Sequence, residues 1–251
     1  MISTLLENRI LTVIFDRADK KNAITTQMYL DANQALLDAA ANTDVRAVLF
    51  KGAQGDFTAG NDMKAFLEMR GESEPAVLTF LLTLANFPKP VIAAVSGLAI
   101  GIGTTMLAHC DYVVAAKDAR FKLPFVDLGI CPEGGSSLLF PNMMGHSLAA
   151  ELLILGDIFS ADKAERVGLI NESVAAESVE ETALAFAQRF AVKPPAAVKN
   201  AKAMLKADYL SKLNTVVKSE IAQLVSMIDG DECQEALAAF AEKRKPDFSQ
   251  F

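Results

Sequence analysis

The sequence predicts an α/β fold built from stacked strand-and-helix units and followed by a helical C-terminal region. Three observations carry this expectation. Short β-rich runs alternate with helical stretches through the first half of the chain. The order strand, glycine-containing loop, helix begins at Ala47 and begins again at Val91, a loose internal repeat. From about residue 145 onward the apolar spacing reads as helical throughout.

Taken in order, residues 10–15 form the first strand, closed by the charged stretch 16–21. Thr25 or Thr26 can cap a helix whose apolar residues Met28, Ala32, Ala35, Leu36 and Ala39 recur at three and four. Residues 46–51 form a buried strand that ends at Gly52, and a helix starts near Met63. Residues 91–108 carry no charge and approach the length of a membrane span. The β-branched start and the glycines Gly97, Gly101 and Gly103 favour a buried strand, a glycine turn and a buried helix instead. Two short strands are expected at 112–115 and 120–123. Helices follow at 148–155 and 177–191, stopped by glycines, and Pro194-Pro195 precedes three more at 196–207, 212–228 and 231–243. The division expected is a core at 1–193 and a helical oligomerisation region at 194–251.

Of 251 residues, 51% are hydrophobic and 22% charged, which suits a globular chain with a substantial core. Lys and Arg number 24 against 31 Asp and Glu, a net charge of -7. That balance argues against a surface for nucleic acid or an anionic membrane, but not against a small anionic ligand held by a few lysines. Three cysteines without C-x-x-C spacing read as reduced thiols. Glu7 interrupts the start before any apolar run develops, and Ser249-Gln250-Phe251 is not a peroxisomal address, so a cytoplasmic location is expected.

Three segments bear chemistry. In Asp56-Phe57-Thr58-Ala59-Gly60-Asn61-Asp62-Met63-Lys64, small residues turn the chain into a helix start where free N–H groups gather, and Ala59-Gly60 permit close approach of a ligand. Alone this is commonplace. Gly97-Leu98-Ala99-Ile100-Gly101-Ile102-Gly103 makes a second such start in the corresponding unit, and it is no dinucleotide fingerprint because Met106 stands where the third glycine would be. Two helix starts side by side could present an oxyanion hole. In the third segment, Pro132 and Gly134 pin Glu133 in an apolar loop, an environment that disfavours ionisation and suits proton shuttling; a plain helix-terminal acid is the alternative. Gly134-Gly135-Ser136-Ser137 fails the esterase pattern at Leu138. His109 and His146 lie in no metal-ligand cluster, Cys131 reads as an inert thiol, and no metal is expected.

Together these segments resemble the crotonase (enoyl-CoA hydratase/isomerase) superfamily over essentially the whole chain. The resemblance also rests on Arg17 with Asn22-Ala23-Ile24, on Lys89-Pro90-Val91-Ile92-Ala93-Ala94-Val95-Ser96-Gly97, and on the ending Ala239-Phe240-Ala241-Glu242-Lys243-Arg244-Lys245-Pro246. It implies a spiral of ββα units, a trimerising helical tail giving a homotrimer or a dimer of trimers, and an acyl-CoA thioester substrate with coenzyme A as part of that substrate and no separate cofactor. It also implies that the thioester oxygen lies between the N–H groups of Asn61 and Ile102. Lys20, Lys21, Ala23, Ala59, Gly60, Asp62, Met63 and Lys64 are the matching CoA-binding positions, with Phe240 and Lys243 reaching in from the tail or a neighbouring subunit. The acyl pocket would depend on Phe66, Leu67, Phe80, Leu84 and the third loop. Ala18 departs from the family's usual proline after the first-loop arginine.

The acids discriminate within the family. Hydratases of the superfamily carry two glutamates, at positions that are Thr105 and Phe125 here. Neither exchanges protons with water at neutral pH. Pro132-Glu133-Gly134 resembles the Δ3,Δ2-enoyl-CoA isomerase branch, in which this glutamate is the base, and Gly60-Asn61-Asp62 and Leu123-Pro124-Phe125 are similar to that branch as well. The resemblance therefore implies an isomerase and disfavours a hydratase. Another single-acid reaction on a ring-containing CoA thioester, or a non-catalytic acyl-CoA-binding subunit, are the alternatives.

Overall fold

β1 (Ile2–Glu7) and β2 (Ile10–Phe15) form a hairpin through Asn8 and Arg9, and β2 then lies parallel to β3 (Ala47–Gly52). β3 pairs in parallel with β4 (Val91–Val95), β4 with β6 (Tyr112–Ala116), and β6 with β9 (Glu172–Val174). The result is a six-stranded sheet in the order β1-β2-β3-β4-β6-β9. The computed structural model describes residues 1–251. The two repeat units stand side by side, with Val48 opposite Val91 in the register.

A second wall is made by β5 (Leu98–Ile100), β7 (Arg120–Lys122) and β8 (Phe159–Ser160), in the order β5-β7-β8. Parallel bridges Thr58–Ala99 and Ile24–Asn61 continue it across the loops of the earlier units. Phe15 and Phe50 of the large sheet stack at 5.9 Å, and Phe57 meets Phe15 edge-on at 5.6 Å, which joins the two walls through a buried aromatic cluster. α1 (Thr26–Ala41) is capped by Thr25, whose side chain accepts from the Met28 N–H, and it buries Met28, Tyr29, Ala32, Leu36 and Ala39. α2 (Met63–Glu68) is capped by Asp62. α3 (Ala76–Ala85) packs on α1, and α8 (Val179–Ala191) covers one face of β3, β4 and β6. The C-terminal helices are α9 (Pro195–Lys206), α10 (Leu210–Met227) and α11 (Asp231–Glu242); Leu213, Val217, Ile221 and Leu224 of α10 join the same apolar core as the sheets. No helix is long and apolar enough to cross a membrane.

Three expectations need correction. The region after residue 145 is not all helical: β8 and β9 lie within it, each too short for its alternation to show. Residues 98–100 are a strand rather than a turn, and the expected helix behind them is one turn, α4 (Ile102–Thr105), followed by a 3-10 turn to His109. The helix expected at 148–155 is α6 (His146–Ala150) running into a π-helical turn over Glu151–Leu155. The hairpin strand β1 carries no pattern because it is an edge strand, with Leu5 and Leu6 exposed.

Candidate active site

The first site loop is stapled by side chains from the charged stretch before α1. Asn22 is buried with a left-handed backbone; its Oδ1 accepts from the Arg17 N–H at 2.9 Å, and its Nδ2 donates to the Ala53 and Asp56 carbonyls at 2.8 and 2.6 Å. The Thr58 hydroxyl donates to the Asn22 carbonyl at 2.8 Å and accepts from the Gly60 N–H at 3.0 Å. Ile24 then donates to the Gly60 carbonyl and accepts from the Asp62 N–H. A parallel bridge uses the groups on either side of Asn61, so the Asn61 N–H itself faces away and has no protein acceptor. Gly60 has φ +88°, and a Cβ there would sit 2.8 Å from the Ile100 carbonyl oxygen, so only glycine lets the two donor loops approach this closely.

The second loop leaves β5 at Gly101, whose N–H donates to the Lys122 carbonyl at 2.8 Å. The Gly101 carbonyl accepts from Thr104 and Thr105 at 2.8 and 3.0 Å, and the Thr104 hydroxyl ties back to the Ala99 carbonyl. The Ile102 N–H, in the first turn of α4, is left without an acceptor.

Glu133 in the third loop is 2% exposed. Its Oε1 accepts from the Thr105 hydroxyl at 2.6 Å, while its Oε2 is buried without any partner. Burial pushes the carboxyl up to about 8; the Thr105 bond opposes this, and the charge of Glu220 adds to it. The loop is fixed from below by His109, which burial holds neutral with a pKa of about 4, so its Nε2–H donates to the Gly134 carbonyl at 2.7 Å. Histidine here is a packed support, as the sequence led one to expect.

Asn61, Ile102 and Glu133 line one cavity of about 90 Å³, together with Ala59, Gly60 and Met63 and an apolar wall that includes Phe66, Phe125 and Leu237. Asn61 also borders a neighbouring cavity of about 190 Å³ whose lining mixes Tyr29, Ala65, Met69 and Val77 with Glu68, Glu72 and Glu74. Larger clefts, such as one of about 400 Å³ between α1 and α9, hold no buried carboxylate beside free N–H groups. Thr105 and Phe125, the two hydratase positions, are both buried at this site, one bonded to Glu133 and the other in the cavity wall.

Other expected residues lie apart. Lys20, Lys21 and Lys64 are exposed outside the cavity, and Ala23 accepts a bond from Arg17 through its carbonyl. The Asp62 carboxylate is already engaged: it pairs with Arg17 at 2.7 Å and caps α2, and the Arg17 bond holds its pKa below the usual carboxylate range. Phe240 is 67% exposed and Lys243 ends α11, both away from the cavity within one chain. Phe80 and Leu84 line neither of the two cavities beside Asn61. α3 is apolar almost all round, and they face the core, where Phe80 meets Tyr29 and Phe50. Two contributors were not foreseen. Tyr29, on the apolar stripe of α1, donates its hydroxyl to Asn61 Oδ1, and Glu220 from α10 binds the backbone just after Glu133.

Residues 6–251 match the family described as enoyl-CoA hydratase/isomerase. The solved structure of OdaA from Pseudomonas aeruginosa superposes with a TM-score of 0.92 at 45% identity, covering 95% of this chain and 98% of that one. Enoyl-CoA delta isomerase 2 of Rattus norvegicus is 36% identical over 96% of this chain and 63% of its own length. The 2,3-dehydroadipyl-CoA hydratase of Escherichia coli is 30% identical over 96% of both chains. With the double-walled fold, the paired donor loops and the match in agreement, the chain belongs to the enoyl-CoA hydratase/isomerase (crotonase) superfamily and is most like its enoyl-CoA isomerase branch.

Proposed function

We propose that the protein shifts the double bond of a 3-enoyl-CoA to give the trans-2-enoyl-CoA, with Glu133 carrying the proton. The observation that carries this reading is the buried carboxyl of Glu133, whose Oε2 has no partner, in a cavity also lined by Asn61 and Ile102, whose N–H groups have no acceptor in the chain. Ionised Glu133 takes a proton from C2 of the bound thioester. The C2–H electron pair becomes a C1–C2 double bond and the carbonyl pair moves onto the thioester oxygen, giving a C1=C2–C3=C4 dienolate whose charge gathers between the two N–H groups. Glu133 returns the proton to C4, where the C3–C4 pair forms the new C–H bond; the C1–C2 pair shifts to C2–C3, the carbonyl re-forms and the carboxylate is restored. Each N–H contributes roughly 100- to 1,000-fold and the base roughly 100- to 10,000-fold.

Hydration of the product would need an acid and base pair acting on water, and the two positions that supply it in hydratases are a threonine and a phenylalanine. The three free cysteines support a cytoplasmic setting. A homotrimer or dimer of trimers, joined through the helical region 194–251, fits the family, and the exposed Met204 and Leu205 of that region offer apolar surface for such contacts.

The test is turnover of cis-3-hexenoyl-CoA. The trans-2 product should accumulate without further hydration, and Glu133→Gln should lower kcat about 100- to 10,000-fold while acyl-CoA affinity stays near wild type. Near-normal turnover by that variant, or a wild type that converts the product to the 3-hydroxyacyl-CoA, removes the assignment.

A further inference from the structure

Glu220 is a buried acid that the proton transfer does not use. It lies on α10, 9% exposed, and spends both carboxylate oxygens on one short segment. Oε2 accepts from the Gly135 N–H at 2.6 Å; Oε1 accepts from the Ser137 N–H at 3.0 Å and from the Ser137 hydroxyl at 2.5 Å. Its backbone carbonyl accepts from the Cys131 thiol at 3.5 Å. The residue thus grips the chain on both sides of Glu133, two positions before it and two and four after. Val217 and Leu213 brace the same spot one and two turns earlier on α10. Gly135 has φ +73°, and a Cβ there would lie 2.4 Å from Leu213 Cδ1 and 3.2 Å from Val217 Cγ2. Burial raises the Glu220 pKa, and the bonds from Ser137 and Gly135 oppose that by favouring the ionised form.

We infer that Glu220 is the positioning residue of the active site: it fixes the Glu133 loop against the C-terminal helical region and sets the charge that Glu133 must ionise against. The inference rests on Glu133 being the base. The titratable groups around Glu133 are Tyr29 from α1, His109 from the turn after α4, Cys131 from its own loop and Glu220 from α10. Burial raises the tyrosine well above its usual range, raises Cys131 to about 11 and lowers His109 to about 4. All three are therefore neutral near pH 7, and Glu220 supplies the negative charge among them.

Two variants separate reach from charge, each assayed with cis-3-hexenoyl-CoA across pH on the folded fraction. Glu220→Asp keeps the charge but falls one methylene short of Gly135 and Ser137. It should lose about tenfold in kcat with KM little changed, because a displaced base fails in the transition state rather than in binding. The acid limb of its kcat/KM profile should stay where it is. Glu220→Gln removes the charge, so its acid limb should move to lower pH in addition to the loss in kcat. Wild-type kcat in Glu220→Asp overturns the inference, as does an unmoved acid limb in Glu220→Gln or a fall in melting temperature alone. If Glu220→Gln does not fold, the kcat of Glu220→Asp decides. A wild type that never isomerises the substrate would instead defeat the proposed function, so the two failures remain distinct.

Discussion

Glu133 and Glu220 are two buried carboxyls on facing elements, and they are treated in opposite ways. Glu220 satisfies both oxygens with three donors drawn from the start of α5 (Ser136–Met144). Glu133 receives one hydroxyl on Oε1 and nothing on Oε2. A carboxylate with both oxygens bonded is held still and belongs to the architecture. One left half-satisfied in an apolar cavity costs the fold stability and keeps a site open for a proton. The charge count could not separate them, since both are single glutamates in an acidic chain.

The largest effect that tests this contrast beyond activity is on stability. The Glu133 pKa in the folded protein is about 8 against 4.5 for the free group, so the native state binds the proton more tightly than the unfolded state does. The contribution of Glu133 to stability is therefore fully present below pH 4.5, is lost as pH rises toward 8, and is level above that. Glu133→Gln carries no such titration. It should match the wild type in denaturant unfolding near pH 4.5 and exceed it by several kcal/mol at pH 8, at 1.36 kcal/mol per pKa unit. Equal stability across that range would mean that Glu133 is solvated and not the strained member of the pair.

Thr105 offers a smaller lever on the same carboxyl. Its hydroxyl favours the ionised form of Glu133, so Thr105→Val should raise that pKa further and move the acid limb of kcat/KM to higher pH. At pH 7 the loss should be on the order of tenfold, from a charge-assisted bond worth about 1.5–3 kcal/mol, and most of it should return above the limb. A loss that persists at high pH would assign Thr105 to substrate contact instead of to the base.

What the sequence made legible followed the range of each interaction. The strand-loop-helix repeat from Ala47 and Val91 was visible because strands buried on both faces write continuous apolar runs, and those strands are neighbours in the sheet. The two helix starts were legible from their glycines, whereas the choice of Asn61 and Ile102 within them came from the family resemblance; Glu133 was marked by the proline and glycine that pin it. Tyr29 was not, because its ring packs in the core and only its hydroxyl reaches Asn61. Glu220 stands between Ser219 and Ile221 on a helix with exposed charges, and nothing local marks an acid whose partners are more than 80 positions away. The short strands β5, β8 and β9 depend on long-range pairing for the same reason.

The smallest effect expected is at Tyr29, and it bears on how Asn61 works. The Asn61 N–H is aimed by the backbone, through the Ile24 bonds to Gly60 and Asp62, whereas its side chain is held by the Tyr29 hydroxyl. Burial and the nearby Glu133 charge both raise the Tyr29 pKa, so the phenol stays a donor throughout the working range. Tyr29→Phe removes that one bond, worth about 0.5–1.5 kcal/mol, and leaves the ladder intact. It should lower kcat only about two- to tenfold and leave the acid limb unmoved. A loss comparable to that of Glu133→Gln would shift the oxyanion contact from the Asn61 backbone to its amide side chain.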